Sequence, residues 1–363
     1  MIKEEDNSSL IRDIGKGGVT INDVAAAANV SIRTVSRVLN RSPKVNAETR
    51  RQIEEVIERL GFSPSQRARA LAVGRSSLIG MVHDDPNALV LDAVQRGVVA
   101  ECVRRGYELV VHPAGLVSDD VVADIVTFVN RSRVDGLIVL SPVSELPAIP
   151  KALSTMKVPV VGLASVRIPS YPAMLVSDER RGAEAIGNHL IELGHRRIAI
   201  ITGPRTFHSA TEREQGFRSA LHTARIKLAA EHVVEGDYGF DSGTSAAHHL
   251  LTHDNRPTAI FASNDVMAAA VLKVATQLGL SVPQDLSVAG FDGSVIAKMV
   301  TPALTTVHRP LLNMASNATA LLIDMIEDQS LVWTTDISVD LKIEIRESTG
   351  PVPSTPPRPG RGR

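Results

Sequence analysis

Apolar residues recur at helical spacing from residue 21 to residue 72, then gather into short unbroken runs. Ile21, Val24, Ala25 and Ala28 fall at i, i+3, i+4 and i+7, one face of a helix. Thr20 stands three residues before Asp23, the start of a capping box. After Asn29 and Val30 the pattern restarts. Ser31 is placed to cap a second helix, with Val35, Val38 and Leu39 as its inner stripe and Arg33, Ser36, Arg37 and Asn40 on the opposite side. Asn46 caps a third, with Ile53, Val56, Ile57 and Leu60 inward and Gly61 as its stop. Pro64 opens a further short helical run over 65–72, ended by Gly74.

Beyond residue 76 the pattern changes. Apolar runs at 78–83, 107–112, 136–140, 160–164, 198–202, 259–262 and 286–291 predict strands. Longer helical patterns fall between them, as at 179–193 and 265–278. Alternating strand and helix predicts doubly wound parallel sheets. This region is too long for one such sheet, so two subdomains are expected. The end of the chain, STGPVPSTPPRPGRGR, is dense in proline and poor in apolar residues, and 346–363 reads as a disordered tail. Residues 1–18 read as a flexible leader, 19–62 as a small all-α domain, 63–75 as a short connecting segment and 76–345 as an α/β body.

Composition narrows the function. The 363 residues are 44% hydrophobic and 22% charged, the profile of a globular protein. The apolar runs are far shorter than the ~18 residues of a membrane span, so no membrane partner is expected. The acidic, polar opening lacks the pattern of a secretory signal, and a cytoplasmic protein is expected. A single cysteine, Cys102, excludes an internal disulfide framework, and its helical surroundings make it a buried small residue. The net charge of −1 hides an asymmetry. Residues 16–75 carry 11 Lys/Arg against 5 Asp/Glu, while 76–363 carry 26 against 31. A basic module ahead of an acidic body predicts nucleic-acid binding by the first part.

Two short helices joined by a tight turn, the second with a basic outer stripe, form a helix-turn-helix pattern. The first helix braces the second, which enters the major groove. Arg33 and Arg37 suit bidentate bonds to guanine, worth ~1–3 kcal/mol of discrimination each. Thr34, Asn46 and Thr49 suit phosphates, which set register. The segments TINDVAAAANVSIRTVSRVLN and VNAETRRQIEEVIERLGFSPSQRARALAVGRSSLIG closely resemble the amino-terminal signature of the lactose-repressor (LacI/GalR) family of transcription regulators. The resemblance runs on through LIELGHRRIAIITGP, PTAIFASNDVMAAAVL, DLSVAGFD and TPALTTVHRP, covering about residues 19–345.

That resemblance implies a base-reading pair at Ile32 and Arg33, with Ile32 departing from the polar residue common there. It adds Thr20, Ser31, Ser36, Arg37, Asn40 and Lys44 to the DNA-facing set, and Arg67, Arg69 and Leu71 from a hinge helix whose leucine wedges the minor groove. It implies a palindromic double-stranded operator, a homodimer, and a body of periplasmic-binding-protein fold with a small-molecule effector in its cleft, its subdomains at about 77–176 with 309–338 and about 177–308 with a last strand in 339–345. The implied effector residues are Asp84, Arg213, Tyr238, Asn264, Asp292 and Arg309, with a carbohydrate as the expected ligand class. Two departures stand out: Gly293 replaces a second acid after Asp292, and Ala164 stands where some sugar-responsive members have an acid.

No enzyme and no cofactor are expected. His248, His249, His189 and His195 lack partners at metal spacing and read as ordinary helix residues. No GxSxG, P-loop or GxGxxG stands at a strand-to-helix turn. The residues leave three other readings open: a purine- or other metabolite-responsive corepressor-type regulator, an architectural DNA-binding protein without effector, and a carbohydrate-binding or carbohydrate-processing protein.

Overall fold

The computed structural model describes residues 19–39, 42, 44–62, 75–84, 87–115, 120–253, 255–328 and 335–353. Asn40, Arg67, Arg69 and Leu71, with the rest of 63–74, the leader and residues 354–363, lie outside them. The chain divides into two units at Ser77 and Leu78.

The amino-terminal unit holds α1 (Ile21–Ala27), α2 (Ile32–Leu39) and α3 (Ala47–Leu60). The Thr20 amide and hydroxyl both donate to Asp23 at 2.7 Å, closing the start of α1. The Ser31 hydroxyl accepts from the Thr34 amide at 3.2 Å, and Asn46 accepts from the Thr49 amide at 2.8 Å. Gly61 ends α3 with φ +62°, a conformation that favours glycine. Val24, Val35 and Ile53, all fully buried, meet in the centre of this small core.

The body contains two lobes. The first is built on a six-stranded parallel sheet ordered β11-β5-β4-β3-β1-β2. Its strands are β1 (Leu78–His83), β2 (Glu108–Pro113), β3 (Gly136–Leu140), β4 (Val160–Ala164), β5 (Ala173–Ser177) and β11 (Thr335–Val339). Helices α4 (Ala88–Arg105) and α12 (Leu311–Glu327) cover one face, and α5 (Val121–Ser132) and α6 (Ala148–Thr155) the other. Burial on both faces is why β3 and β4 read as unbroken apolar runs.

The second lobe carries β7-β6-β8-β9, all parallel: β6 (Ile198–Thr202), β7 (Val233–Glu235), β8 (Ala259–Ala262) and β9 (Ser287–Ala289). Helices α7 (Glu179–Glu192) and α8 (His208–Thr223) lie on one face, and α9 (Phe240–Thr252) and α10 (Asp265–Gln277) on the other. The short α11 (Val295–Met299) follows, and β10 (Thr306–His308) pairs antiparallel with β12 (Lys342–Glu344). The expected fold class therefore holds: a helical module and an α/β body of two parallel sheets.

Several expectations need correction. Residues 346–353 are part of the second lobe. Ser348 is fully buried, its hydroxyl donating to the Val288 carbonyl at 2.6 Å. The Val288 amide donates to the Ser348 carbonyl at 2.8 Å, and the Gly350 amide to the Ser287 hydroxyl at 3.0 Å. The segment satisfies backbone groups at the β9 edge, a role that composition does not encode. His195 lies beyond α7, fully buried, with its ring nitrogens bonded to Thr258 and Ser287 at 2.9 and 3.0 Å. Burial lowers its pKa. Strands β5, β7, β10 and β11 were not expected, while β12 falls where a last strand was; β7, β10 and β12 have only three residues each. The strand expected over 286–291 is confined to Ser287–Ala289.

Candidate functional site

The amino-terminal unit presents one polar face. Opposite the buried Val35 and Val38, α2 shows Ile32, Arg33, Ser36 and Arg37. Ile32 is 49% exposed. Arg33, Lys44 and Asn46 are exposed, and Arg37 and Thr49 half-buried. Several hydroxyls and amides of the expected DNA-facing set are already engaged. The Ser31 and Thr34 hydroxyls pair at 2.8 Å, and Thr20 is held by Asp23. These residues shape the helix starts as well as the surface.

A cavity lies between the two lobes of the body. Its second-lobe wall brings together Arg213 from α8, Glu179 from the start of α7, Asn264 and Tyr238 from loops after strands, Asp292, and Arg309 from the segment leading back to the first lobe. The close approach of α7 and α8 makes this possible: a Cβ on Gly216 would run into the Arg180 carbonyl. Arg213 donates from Nε to Glu179 at 2.7 Å and from a terminal nitrogen to the Ser263 carbonyl. Its other terminal nitrogen stands 3.6 Å from Asp292. Arg309 joins both acids, at 3.0 Å to Glu179 and 3.1 Å to Asp292. The Arg213 guanidinium also lies 4.1 Å from the centre of the Phe291 ring.

Burial governs the electrostatics. Glu179 is 1% exposed and Arg213 3%. Burial opposes ionisation of Glu179, but Arg213 and Arg309 outweigh it and hold its pKa below the usual carboxylate range. Asp292 is pushed up by burial, which the two arginines only partly offset. Tyr238 is raised to about 12, chiefly by burial. Asp265 is raised to about 7 by burial and by Asp292, against bonds from Thr306 at 2.6 Å and the Ser294 amide at 2.7 Å.

The backbone is specialised at the same place. Asp292 has φ +107° and Tyr238 φ +68°. Such conformations cost about 1–3 kcal/mol each for residues with a side chain, and their surroundings hold them. The Asp292 amide donates to the Val307 carbonyl at 3.0 Å and the Arg309 amide to the Asp292 carbonyl at 3.1 Å. Gly293 follows with φ +66°, and a Cβ there would lie 2.7 Å from His308. Glycine suits this turn, which His308 crowds.

Of the six expected effector residues, Arg213, Tyr238, Asn264, Asp292 and Arg309 line this cavity; Asp84 is not among its lining residues. Asp84 ends the approach from β1, and Asn87, the cap of α4, reaches the cavity instead. Asn264 lines the cavity but is largely committed: its oxygen caps α10 through the Met267 amide and its nitrogen donates to the Tyr238 carbonyl, both at 2.8 Å. Glu179, Ser209 and Phe207 also line it and were not anticipated. An acid at the first position of a helix that follows a strand was the available signal for Glu179. Ala164 lines the cavity at 4% exposure.

The lobes meet around this cavity. Glu145 of the first lobe accepts from the His208 amide at the start of α8, at 3.2 Å, and Asn87 reaches Asp292 at 3.5 Å. The enclosed space is about 60 Å³, well below the ~300–1,000 Å³ of ligand pockets. A larger hollow of about 370 Å³ opens on the other side of Asp292 and Arg309. Among the described residues no group of histidines, cysteines or acids could hold a metal, and no helix is long and apolar enough to cross a membrane.

Comparison with known proteins agrees with both units. Residues 20–65 match the model of bacterial regulatory proteins of the lacI family, and 188–349 that of a periplasmic binding protein-like domain. The chain is 34% identical over 308 residues to the HTH-type transcriptional repressor PurR of Escherichia coli O139:H28, covering 85% of this chain and 90% of that protein. The PurR of Salmonella arizonae matches to the same extent. Among solved structures, a lac repressor dimer bound to operator and the anti-inducer ONPF superposes with a TM-score of 0.77 at 27% identity, covering 92% of this chain and all of that one. A complex of the transcriptional regulator CelR with cellobiose gives 0.68 at 29% identity, covering 91% and 99%. These relatives are regulators and not enzymes, and the chain belongs to the LacI family of transcriptional repressors, with a DNA-binding and an effector-binding domain.

Proposed function

We propose that this protein is a cytoplasmic repressor that binds a palindromic operator as a homodimer and is controlled by a small carbohydrate between the lobes of its body. The observation that supports control most directly is the buried Glu179–Arg213–Asp292–Arg309 network where the lobes meet. Paired carboxylates and guanidiniums offer acceptors and donors side by side, which suits vicinal hydroxyls and rejects analogues lacking them. The cellobiose-bound relative supports the ligand class, and the operator-bound dimer supports the assembly.

The mechanism follows from the closed cleft. About 60 Å³ does not admit a sugar, so entry separates the lobes and breaks the Glu145–His208 and Asn87–Asp292 contacts. In a dimer, a change in lobe separation moves the two DNA-binding units relative to the operator axis. The coupling is reciprocal: a ligand that weakens DNA binding is itself weakened by DNA. On the DNA, Ile32 makes an apolar contact such as with a thymine methyl, and Arg33 and Arg37 read guanines. Leu71 wedges the minor groove at the centre of the site.

Sequencing the genomic fragments retained by purified protein at physiological salt, with and without a metabolite extract, tests this. A few palindromic sites whose recovery depends on the extract are expected. Diffuse recovery under both conditions would refute specific repression and favour an architectural role. Leu71→Ala should keep weak, salt-sensitive binding and lose most operator preference in a competition titration.

A further inference from the structure

The two walls of the cavity differ in kind. On the second-lobe side stand the two carboxylates and two guanidiniums, with the Tyr238 and Ser209 hydroxyls 3.1 Å apart. On the first-lobe side stand Val94, Leu140, Pro142, Leu163, Ala164 and Met314. Asn87 and Ser141 are the polar residues among the described members of that wall, and parting the lobes releases only the Asn87 amide nitrogen. The Asn87 oxygen accepts from the Leu89 amide at 3.1 Å and its nitrogen faces Asp292, while the Ser141 hydroxyl donates to Glu145 at 2.7 Å. The four charges balance, and each guanidinium already faces both carboxylates.

We propose that the effector is an uncharged sugar derivative whose polarity is divided: hydroxyls along one edge, and an apolar opposite side of the kind found in deoxy or O-alkylated sugars. This rests on the reading that the cleft is the effector site. A hydroxyl turned toward the aliphatic wall loses its water and gains no partner, which weakens binding by about tenfold or more. A phosphate brings charge to a wall whose cations are already neutralised. A nucleobase presents polar edges on several sides, and among the described residues the first-lobe wall offers them only the Asn87 amide.

The test is calorimetric titration of the full-length protein with paired probes: D-fucose against D-galactose, 6-deoxy-D-glucose against D-glucose, and methyl glycosides against the free sugars. D-glucose 6-phosphate and hypoxanthine complete the panel, and operator binding is followed in parallel. At least one deoxy or O-methyl probe should bind about tenfold or more tightly than its parent. Ala164→Ser, which adds one hydroxyl to the apolar wall, should narrow that gap several-fold. Every parent sugar binding at least as tightly as its derivative, or the phosphate or nucleobase binding more tightly than every sugar, overturns the inference and leaves the effector site standing. So does a metabolite extract that shifts operator binding when no sugar probe does. If neither probes nor extract shift operator binding, the effector reading fails and the inference falls with it.

Discussion

Replacing Arg213 by alanine should damage the body before it damages ligand recognition. Glu179 and Asp292 are 1% and 3% exposed, and Arg213 and Arg309 neutralise them together. Without Arg213, a single guanidinium faces two buried carboxylates. Removing one partner of a buried ion pair costs about 3–5 kcal/mol, because a charge is left without compensation. At ~2–4 °C per kcal/mol for a domain of this size, Tm should fall by roughly 6–20 °C. The loss should depend on pH. With Arg213 present, the Glu179 pKa is depressed, so its contribution is complete above the ordinary carboxylate value and lost as pH falls through the depressed one. Without Arg213 that carboxylate protonates more readily, so the gap between the proteins should narrow from pH 7 toward pH 5. Urea unfolding followed by circular dichroism measures both effects. Glu179→Gln in the Arg213→Ala background should recover part of the loss, and Arg213→Lys should lose less than alanine. A loss below about 1 kcal/mol, the range of exposed pairs, or one that ignores Glu179→Gln, would refute the buried-network account.

Three further outcomes follow from other parts of the chain. Asn46→Ala should destabilise the amino-terminal unit by about 0.5–2 kcal/mol through loss of the α3 cap, and operator affinity at a temperature near its melting should report it. His195 is held neutral by burial, so the body should lose stability as pH falls below about 6.5 toward the depressed folded value; unfolding at pH 8 and pH 5 in the parent and in His195→Gln should show a smaller difference in the variant. Ending the chain after Ile345 should lower the urea midpoint of the body more than removing 354–363 alone, because 346–353 bond to the β9 edge.

Much of this protein was legible as local pattern. The helix starts at Thr20, Ser31 and Asn46 are short-range bonds between residues three apart, so sequence spacing encodes them directly. The runs at 78–83, 136–140, 160–164, 198–202 and 259–262 became strands with the expected bounds, because burial on both faces demands continuous apolar residues. The three-residue strands β7, β10 and β12 carry too few positions for periodicity to register. The cleft needed the fold itself. Arg213, Asp292 and Arg309 could be named from resemblance, but Glu179 is 34 residues from Arg213 in the chain and meets it because α7 and α8 pack closely at Gly216. Proline-rich composition made 346–353 look unstructured, yet backbone groups of β9, about sixty residues away, give that segment its place. Local preference sets which residues form helices and strands. Burial and charge pairing between distant segments set which side chains face one cavity, and with them its chemistry.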